Sequence, residues 1–385
     1  MSERRVYNLS PLQEDVRRIA RDFGEREIQP LAEKQDRGSP RFPAGLYGKM
    51  ARAGFLGYTE QSLYGGGGKS WIEYATLIEE LSFFDASAGF TLSIGNLAIG
   101  ALTMFGTDEQ KHRFVPGMIQ GERIGAFALT EPGAGSDVSN LSTTIQKQGD
   151  MCLVDGQKRF ISSGDAAHII ILVGKYSEDE QDRGPAVLAV ETEGLQGLTR
   201  RVLKHKMGLR GSTTADLTFR GCRVPAENLL GGPGQGFRVA MKSLDCSRVA
   251  IAAQAVGLGQ ACLQRAVDYA KQREAFGGPI ANLQAVQFMI ADMSTRLEAS
   301  RMLTCKAALL MDEGKDFTLE SAQAKLYASE MANFTADRAV QILGGSGYTG
   351  DFSDVEKLYR DARVIPIYEG TSEIQRMIVA RKLLK

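Results

Sequence analysis

Apolar positions recur with three different rhythms along this chain. From residue 1 to about 125 the rhythm is helical. Ser10-Pro11 have the residue types of an N-cap and a first helical position, and Leu12, Val16, Ile19 and Phe23 follow at helical spacing. Pro30 ends this first helix or kinks it. Further helical runs follow Arg41-Phe42-Pro43 and Trp71, and another covers roughly Asn96 to Phe105. Near Gly125 the rhythm shortens. Pieces such as Met151-Cys152-Leu153-Val154, His168-Ile169-Ile170-Ile171-Leu172-Val173, Val187-Leu188-Ala189-Val190 and Asp216-Leu217-Thr218-Phe219 stand between turn residues, with no helices separating them. A glycine-rich stretch, Gly231 to Gly236, then acts as a linker. From Phe237 the helical rhythm returns in long pieces at about 237–273, 282–313, 318–343 and 372–383. The predicted architecture is therefore α+β and multidomain: an N-terminal α-helical domain (1–125), a middle antiparallel β-barrel or sandwich domain (126–234), and a C-terminal four-helix bundle (235–385).

Composition narrows the function classes. With 385 residues the chain can build a large core, and 46 basic against 46 acidic residues argue against nucleic acid or an anionic membrane as the main partner. No uninterrupted apolar run reaches the roughly 18 residues of a membrane span. Met1-Ser2-Glu3-Arg4-Arg5 shows neither a signal h-region nor an acid-free amphipathic presequence, so the expected location is cytoplasmic, or the mitochondrial matrix if a presequence has been removed. Five scattered cysteines, never spaced as CxxC, fit a reducing compartment. His112, His168 and His205 stand far apart and suggest no metal site.

Two glycine motifs fail on context. Gly65-Gly66-Gly67-Gly68-Lys69-Ser70 ends like a phosphate-binding loop, but Leu63 stands where the first glycine is needed and no buried strand leads in. Gly345-Ser346-Gly347-Tyr348-Thr349-Gly350 satisfies GxGxxG yet follows a helical run rather than a strand. A flexible turn and a helix-closing turn are the expectations.

The stretch richest in chemistry is Ile365-Pro366-Ile367-Tyr368-Glu369-Gly370-Thr371-Ser372-Glu373-Ile374-Gln375-Arg376. Glu369 sits between an aromatic residue and a glycine, and a helix begins at once. Ser372 and Gln375 have capping-box spacing, and Ile374, Ile378 and Ala380 start a mainly apolar run. A carboxylate aimed from such a turn into an apolar pocket makes a general base, because desolvation raises its pKa towards working pH, while the same stretch taken alone reads first as a surface turn with a helix-capping acid. A second dense segment lies upstream: Phe127-Ala128-Leu129-Thr130-Glu131-Pro132-Gly133-Ala134-Gly135-Ser136-Asp137. Asp245 and Arg248, on an otherwise apolar helix, make either a structural ion pair or ligand contacts.

Together the two segments resemble the signature regions of the acyl-CoA dehydrogenase family of flavoproteins, and the similarity runs from about residue 8 to the end. In general appearance it is closest to short-chain, butyryl-CoA-type members. The resemblance implies FAD as hydride acceptor and Glu369 as the base that removes the α-proton of an acyl-CoA. Tyr368 and Gly370 flank that base at the substrate site. It places Phe127, Leu129 and Thr130 at the flavin, with Thr130 bonding its pyrimidine end, and Ser136 near the pyrophosphate and the pantetheine entrance. In Arg159-Phe160-Ile161-Ser162-Ser163, Phe160 would lie along the isoalloxazine and Ser162 at its N5 edge. The family commonly has Trp and Thr there; Phe and Ser keep the aromatic surface and the hydroxyl.

Arg273 and Phe276, with Gln341 and Gly345, match the part that reaches the FAD of a neighbouring subunit. That implies a homo-oligomer, usually a tetramer built as a dimer of dimers. Thr371 and Glu373 match further cofactor contacts, although Glu373 departs from the Gln of some members. Asp245 and Arg248 match positions along the substrate channel. Ser247 stands where some long- or branched-chain members carry their base, so Glu369 is the favoured one. The segment from Asp85 to Gly100 lacks the Arg that dicarboxylic substrates require. A short- to medium-length acyl group is expected, branched and cyclic ones included, with Ala86 to Asn96 as pocket floor. The implied reaction forms trans-2-enoyl-CoA and passes electrons to an electron-transfer flavoprotein. Rival readings on the same scaffold are an oxidase, an enoyl-CoA reductase and a carrier-protein thioester dehydrogenase; a non-catalytic flavin- or thioester-binding subunit is the remoter one.

Overall fold

The computed structural model describes residues 11–384. The expected N-cap Ser10 lies outside the described residues, as does the side chain of Leu12. The first helix, α1 (Pro11–Phe23), turns Val16 and Ala20 inward, whereas Ile19 is 47% exposed, so the expected stripe is displaced there by one position. Pro30 does not end the helix. One π-helical turn (Gly24–Ile28) carries the chain into α2 (Gln29–Arg37), and the proline sits in the first turn of α2, where no N–H is missed.

The helices α3 (Ala44–Arg52) and α4 (Trp71–Phe84) follow at their expected places. Ser70, the last residue of the phosphate-loop look-alike, is the N-cap of α4: its hydroxyl accepts from Glu73 N (3.3 Å) while Glu73 accepts from Ser70 N (3.0 Å). Next comes α5 (Ala86–Phe105), which starts ten residues before the expected Asn96, and then α6 (Asp108–Ile119). By length and composition α5 could cross a membrane, but 72% of that stretch is buried inside the protein, where it serves as a core helix.

The middle of the chain forms one sheet from β1 (Gly125–Ala128), β2 (Thr144–Gln148), β3 (Met151–Ser162), β4 (Ile169–Glu178), β5 (Gln181–Glu191), β6 (Leu198–Val202), β7 (Thr214–Pro225) and β8 (Leu229–Leu230). The order is β6-β7-β3-β2-β4-β5-β8, with β1 also on β4. Most neighbours are antiparallel as expected, but β1–β4 and β2–β4 pair in parallel. The apolar run of β4 explains its central place. Ile169, Ile171 and Val173 join the core shared with the helices, while Ile170 and Leu172 join a second core on the other face with Val154, Leu188 and Phe219. A strand buried on both faces needs such a continuous apolar run.

The C-terminal part opens with α7 (Gly236–Gln272), then a small hairpin of β9 (Glu274–Ala275) and β10 (Gly278–Pro279). Next come α8 (Gln284–Asp312), α9 (Thr318–Leu343), the single turn α10 (Gly345–Tyr348), α11 (Val355–Ala362) and α12 (Ser372–Leu383). The GxGxxG look-alike is thus a turn closing α9, introduced by Gly344 at φ 58°. Ala324, Ala328, Ala332 and Ala336 form a fully buried stripe of small residues along α9, facing α7 and α8.

A buried charge chain joins the three parts. Asp85, N-cap of α5, accepts from Lys357 Nζ (2.8 Å); Lys357 also donates to Asp361 (2.6 Å), and Asp361 accepts from the backbone N–H of Leu209 (2.6 Å).

A second buried pair braces the Thr130 segment. Lys158 Nζ donates to Glu131 Oε1 (2.7 Å) and to the Leu129 carbonyl (2.9 Å), with both charged side chains fully buried. Glu131 also accepts from Ser142 N (2.5 Å), Ser142 Oγ (2.6 Å) and Thr143 N (3.0 Å). Burial alone would raise the Glu131 pKa, but Lys158 and the Ser142 and Thr143 donors win and hold it at about 2. Breaking such a pair strands a buried charge, so Glu131→Gln is expected to cost about 3–5 kcal/mol of stability, read as a lowered unfolding midpoint. Since the folded-state pKa lies below the ordinary 4.5, the contribution of Glu131 is present above that value and is lost as pH falls towards 2. The Gln variant should lack this component of acid destabilisation.

Candidate active site

Glu369 lies on the short segment between α11 and α12, in a left-handed conformation (φ 56°) that non-glycine residues seldom adopt. Gly370 follows at φ 86°, and a Cβ there would meet the Gln375 amide at 2.6 Å, so only glycine fits. Several bonds hold this strained turn. The Gln375 amide donates to the carbonyls of Glu369 (3.2 Å) and Gly370 (2.9 Å), and Lys325 Nζ donates to the Gly370 carbonyl (2.7 Å). The cap of α12 is Thr371, whose hydroxyl accepts from Ile374 N (3.3 Å); Ser372 is already helical, and Gln375 secures the turn instead of completing a capping box.

The Glu369 side chain faces a cavity of about 1200 Å³, and its Oε2 is buried without a hydrogen-bond partner. Desolvation raises its pKa to about 7, against the opposing pull of Arg248, Lys325 and the nearby Ser247 hydroxyl. Tyr368 beside it donates to Gln254 Oε1 (2.5 Å), and Gln254 in turn donates to the Ala86 carbonyl (2.9 Å). The ring of Phe90 tilts against that of Tyr368, with centroids 4.7 Å apart. Phe90, Ile94 and Leu97 on α5, with Met241 and Leu244 on α7, make this part of the wall apolar.

The same cavity is also lined by Phe127, Leu129, Thr130, Ser136, Phe160 and Ser162. Phe160 owes its place to a bulge: between Lys158 and Ile161 two residues of β3 oppose the single Asp216 of β7. Phe160 takes φ 60° there and is 62% exposed towards the cavity. A large aromatic ring held out by a strained backbone, with hydroxyls on either side, fits a flat heteroaromatic group with polar edges.

Other expected residues lie elsewhere. Arg248 lines the cavity and is ion-paired with Asp245, but Asp245 itself sits behind it, accepting also from Thr318 Oγ1 (3.1 Å), and is not part of the wall. The ion pair and the lining contact therefore coexist. Arg273 and Phe276 sit on the β9–β10 hairpin, with Phe276 94% exposed, and Gln341 and Gly345 are exposed at the end of α9. None of the four reaches this chain's own cavity. Glu373 is exposed in the first turn of α12, whereas Gly370 and Thr371 do line the cavity.

The sequence pattern missed a second group of residues. Arg201, Lys204, His205, Arg360 and Arg363 give the cavity a basic margin. Lys206 holds the adjoining loop by donating to the carbonyls of Leu209 (2.7 Å) and Ser212. Nothing in a loop sequence such as Lys204-His205-Lys206-Met207-Gly208 marks it as a wall facing Glu369.

Three family models match the chain: the acyl-CoA dehydrogenase N-terminal domain over residues 10–122, the middle domain over 126–222 and the C-terminal domain over 234–384. The mouse mitochondrial short-chain specific acyl-CoA dehydrogenase is 43% identical over 371 residues, covering 96% of this chain and 89% of the relative. An acryloyl-CoA reductase (NADH) of Anaerotignum propionicum is 41% identical over 385 residues, covering 100% of this chain and 97% of the relative. The solved butyryl-CoA dehydrogenase of Megasphaera elsdenii superposes with a TM-score of 0.94 at 38% identity, covering 98% and 100% of the two chains. With three family models matched in order along its length and close relatives over nearly the whole of it, this chain belongs to the acyl-CoA dehydrogenase family of FAD-dependent oxidoreductases.

Proposed function

We propose that the chain desaturates a short acyl-CoA to the trans-2-enoyl-CoA, with Glu369 taking the α-proton. The observation that carries this reading is the state of its carboxylate. One oxygen is buried without a partner and the pKa lies at about 7, so the group is basic enough to accept a carbon-bound proton and still half ionised near neutrality. Among the described residues no acceptor takes up the Glu369 backbone N–H. That donor is therefore available to a thioester carbonyl whose oxygen gains charge as the proton leaves. FAD, when bound, supplies the acceptor for the β-hydride, a capacity no side chain has. Thr130, Ser136 and Ser162 would hold its polar edges and Phe127, Leu129 and Phe160 its flat face.

Arg273, Phe276, Gln341 and Gly345 are exposed and away from the cavity, which supports a role at the cofactor of a neighbouring copy in a homotetramer. Thr371 and Glu373 would add contacts at the start of α12. Arg248 would line the substrate channel with Tyr368 and Gly370, and Asp245 would orient Arg248. Electron-transfer flavoprotein is the acceptor in this reading. Cys152, Cys222, Cys246 and Cys262 are buried free thiols, which supports a reducing compartment such as the cytoplasm. The likeness to an acryloyl-CoA reductase supports a second reading in which the same residues work in reverse, Glu369 delivering its proton to the α-carbon.

Glu369→Gln keeps the shape and removes the base. Flavin bleaching by the best acyl-CoA, followed by stopped flow without an electron acceptor, should slow by about 10²–10⁴-fold while FAD content stays unchanged. In the wild type the rate should rise with pH through about 7, since the deprotonated form is the active one. A Gln variant within a few-fold of wild type would remove Glu369 from the mechanism.

Phe90 supports the short acyl group, because its ring closes the apolar chamber against Tyr368. Phe90→Ala should shift the ratio of kcat/KM for octanoyl-CoA over butyryl-CoA upwards by about ten-fold or more, the scale of methylene discrimination in an apolar pocket. An unchanged ratio would place the chain-length limit elsewhere.

A further inference from the structure

Lys325 is fully buried on α9, where its neighbours one turn away, Ser321, Ala322, Ala328 and Ser329, are small and uncharged. Among the described residues its ammonium makes one hydrogen bond, to the Gly370 carbonyl at 2.7 Å, and no ion pair. An ammonium has three N–H groups and is costly to bury without a counter-charge. Helix packing alone gives no reason for it, since an uncharged side chain of similar length would fill the same space.

The charged groups that face Lys325 are few. Glu369 attracts it from the turn that Lys325 itself holds, Glu373 attracts it from the first turn of α12, and Arg248 repels it from α7. Glu373 is exposed and therefore screened, and Arg248 already has Asp245 as a partner. The one desolvated carboxylate left to balance Lys325 is Glu369. Around Glu369 the same census holds: Arg248 and Ser247 from α7, Lys325 from α9, and Tyr368 next to it in the chain.

We propose that Lys325 is the positioning residue of the base: its ammonium clamps the Gly370 carbonyl, fixing the strained turn that aims Glu369, and its charge helps keep that carboxylate ionised beside the apolar wall made by α5 and α7. The clamp bears on geometry because Gly370 directly follows Glu369, and among the described residues the carbonyl it holds is shared only with the Gln375 amide. The charge bears on proton affinity because burial raises it while Arg248 and then Lys325 oppose that rise, and of the two only Lys325 lacks a carboxylate partner of its own among the described residues. Burial also brings the Lys325 pKa down to about 7, with Glu369 as the largest influence raising it, so each group favours the charged form of the other.

This inference rests on Glu369 being the base, and the experiment separates the two. The pH dependence of flavin bleaching is measured for the wild type, Lys325→Met, Lys325→Arg and Glu369→Gln, together with FAD content and a ¹³C NMR titration of labelled glutamate carboxylates in which Glu369→Gln identifies the Glu369 resonance. In Lys325→Met the rising limb and the Glu369 titration should both move to higher pH by about one unit or more, with most of the lost rate recovered in alkali. Lys325→Arg, which keeps the charge, should return both towards wild type. A merely structural lysine would lower stability and FAD content without moving either titration, and that result overturns the proposal. Should the Met variant not fold, Lys325→Gln keeps a donor for Gly370 without the charge, and an unmoved titration there overturns the electrostatic role equally. A rising limb that persists in Glu369→Gln would instead overturn Glu369 as the base.

Discussion

The cavity depends on one buried charge chain, Asp85–Lys357–Asp361. Its members come from the start of α5 and from α11, and through the Leu209 N–H it takes hold of the loop between β6 and β7. Each of these segments contributes wall: α5 through Phe90, the loop through Lys204 to Leu209, and the chain after α11 through Tyr368 and Glu369. Hydrophobic burial would drive the three parts together but is non-directional. A buried ion chain contributes little net stability, yet it tolerates few alternative arrangements, because any misplacement strands a charge. We therefore read this chain as the device that sets the register between parts. Asp36 and Arg360 reinforce it at 2.6 Å, with Arg360 also donating to the Met207 carbonyl (3.1 Å).

Within that frame the two walls that carry Glu369 and Phe160 are built in the same way. Glu369 and Phe160 are both non-glycine residues at positive φ, an arrangement that costs about 1–3 kcal/mol each and persists only where the surroundings over-determine it. Phe160 is over-determined by the bulge opposite Asp216 and by Arg159 N bonded to the Thr130 carbonyl at 2.8 Å. Glu369 is over-determined by the Gln375 and Lys325 contacts to its turn. In both cases the strain turns a large side chain out of its own element and into the cavity. Substituting the side chain would leave this backbone in place, whereas releasing a pin would misdirect an intact side chain.

These features differ in how far the sequence discloses them. Long amphipathic or alanine-rich runs such as 318–343 and the five-residue apolar core of β4 are legible because a single periodicity is sustained. Glu369 is singled out only by its resemblance to a family signature together with the Phe127–Asp137 segment, because taken alone its turn reads as a surface turn with a helix-capping acid. The start of α5 is not: Ala86 to Gly95 is buried all round, so it carries no amphipathic period, and its small residues read as loop. Thr371 and Ser372 are both good caps, and only the backbone decides that Thr371 takes the role. Parallel pairing of β1 and β2 with β4 leaves no local trace, since either direction needs the same alternation. Lys325 is the least legible of all. In Ala322-Gln323-Ala324-Lys325-Leu326 it looks like any solvated helix lysine, and its partner lies 45 residues away.

Two glutamates, one in each of the segments that resemble family signatures, show how environment, not residue type, sets proton affinity. Glu131 and Glu369 both leave water, and burial pushes both upward. Glu131 then receives an ammonium, a hydroxyl and two backbone N–H groups, so its negative charge is fully accommodated and its pKa falls to about 2. Such a carboxylate has no use for a proton and serves as a brace. Glu369 keeps one oxygen without any partner, and the cations near it act at longer range than a hydrogen bond, which leaves its pKa at about 7. A buried oxygen without a partner is destabilising for the fold, and under the proposed function that same deficit is what a proton from substrate would relieve. The number of donors reaching each carboxylate thus separates a structural acid from a reactive one. Adding a donor to the free oxygen of Glu369 would stabilise the protein at the expense of its basicity.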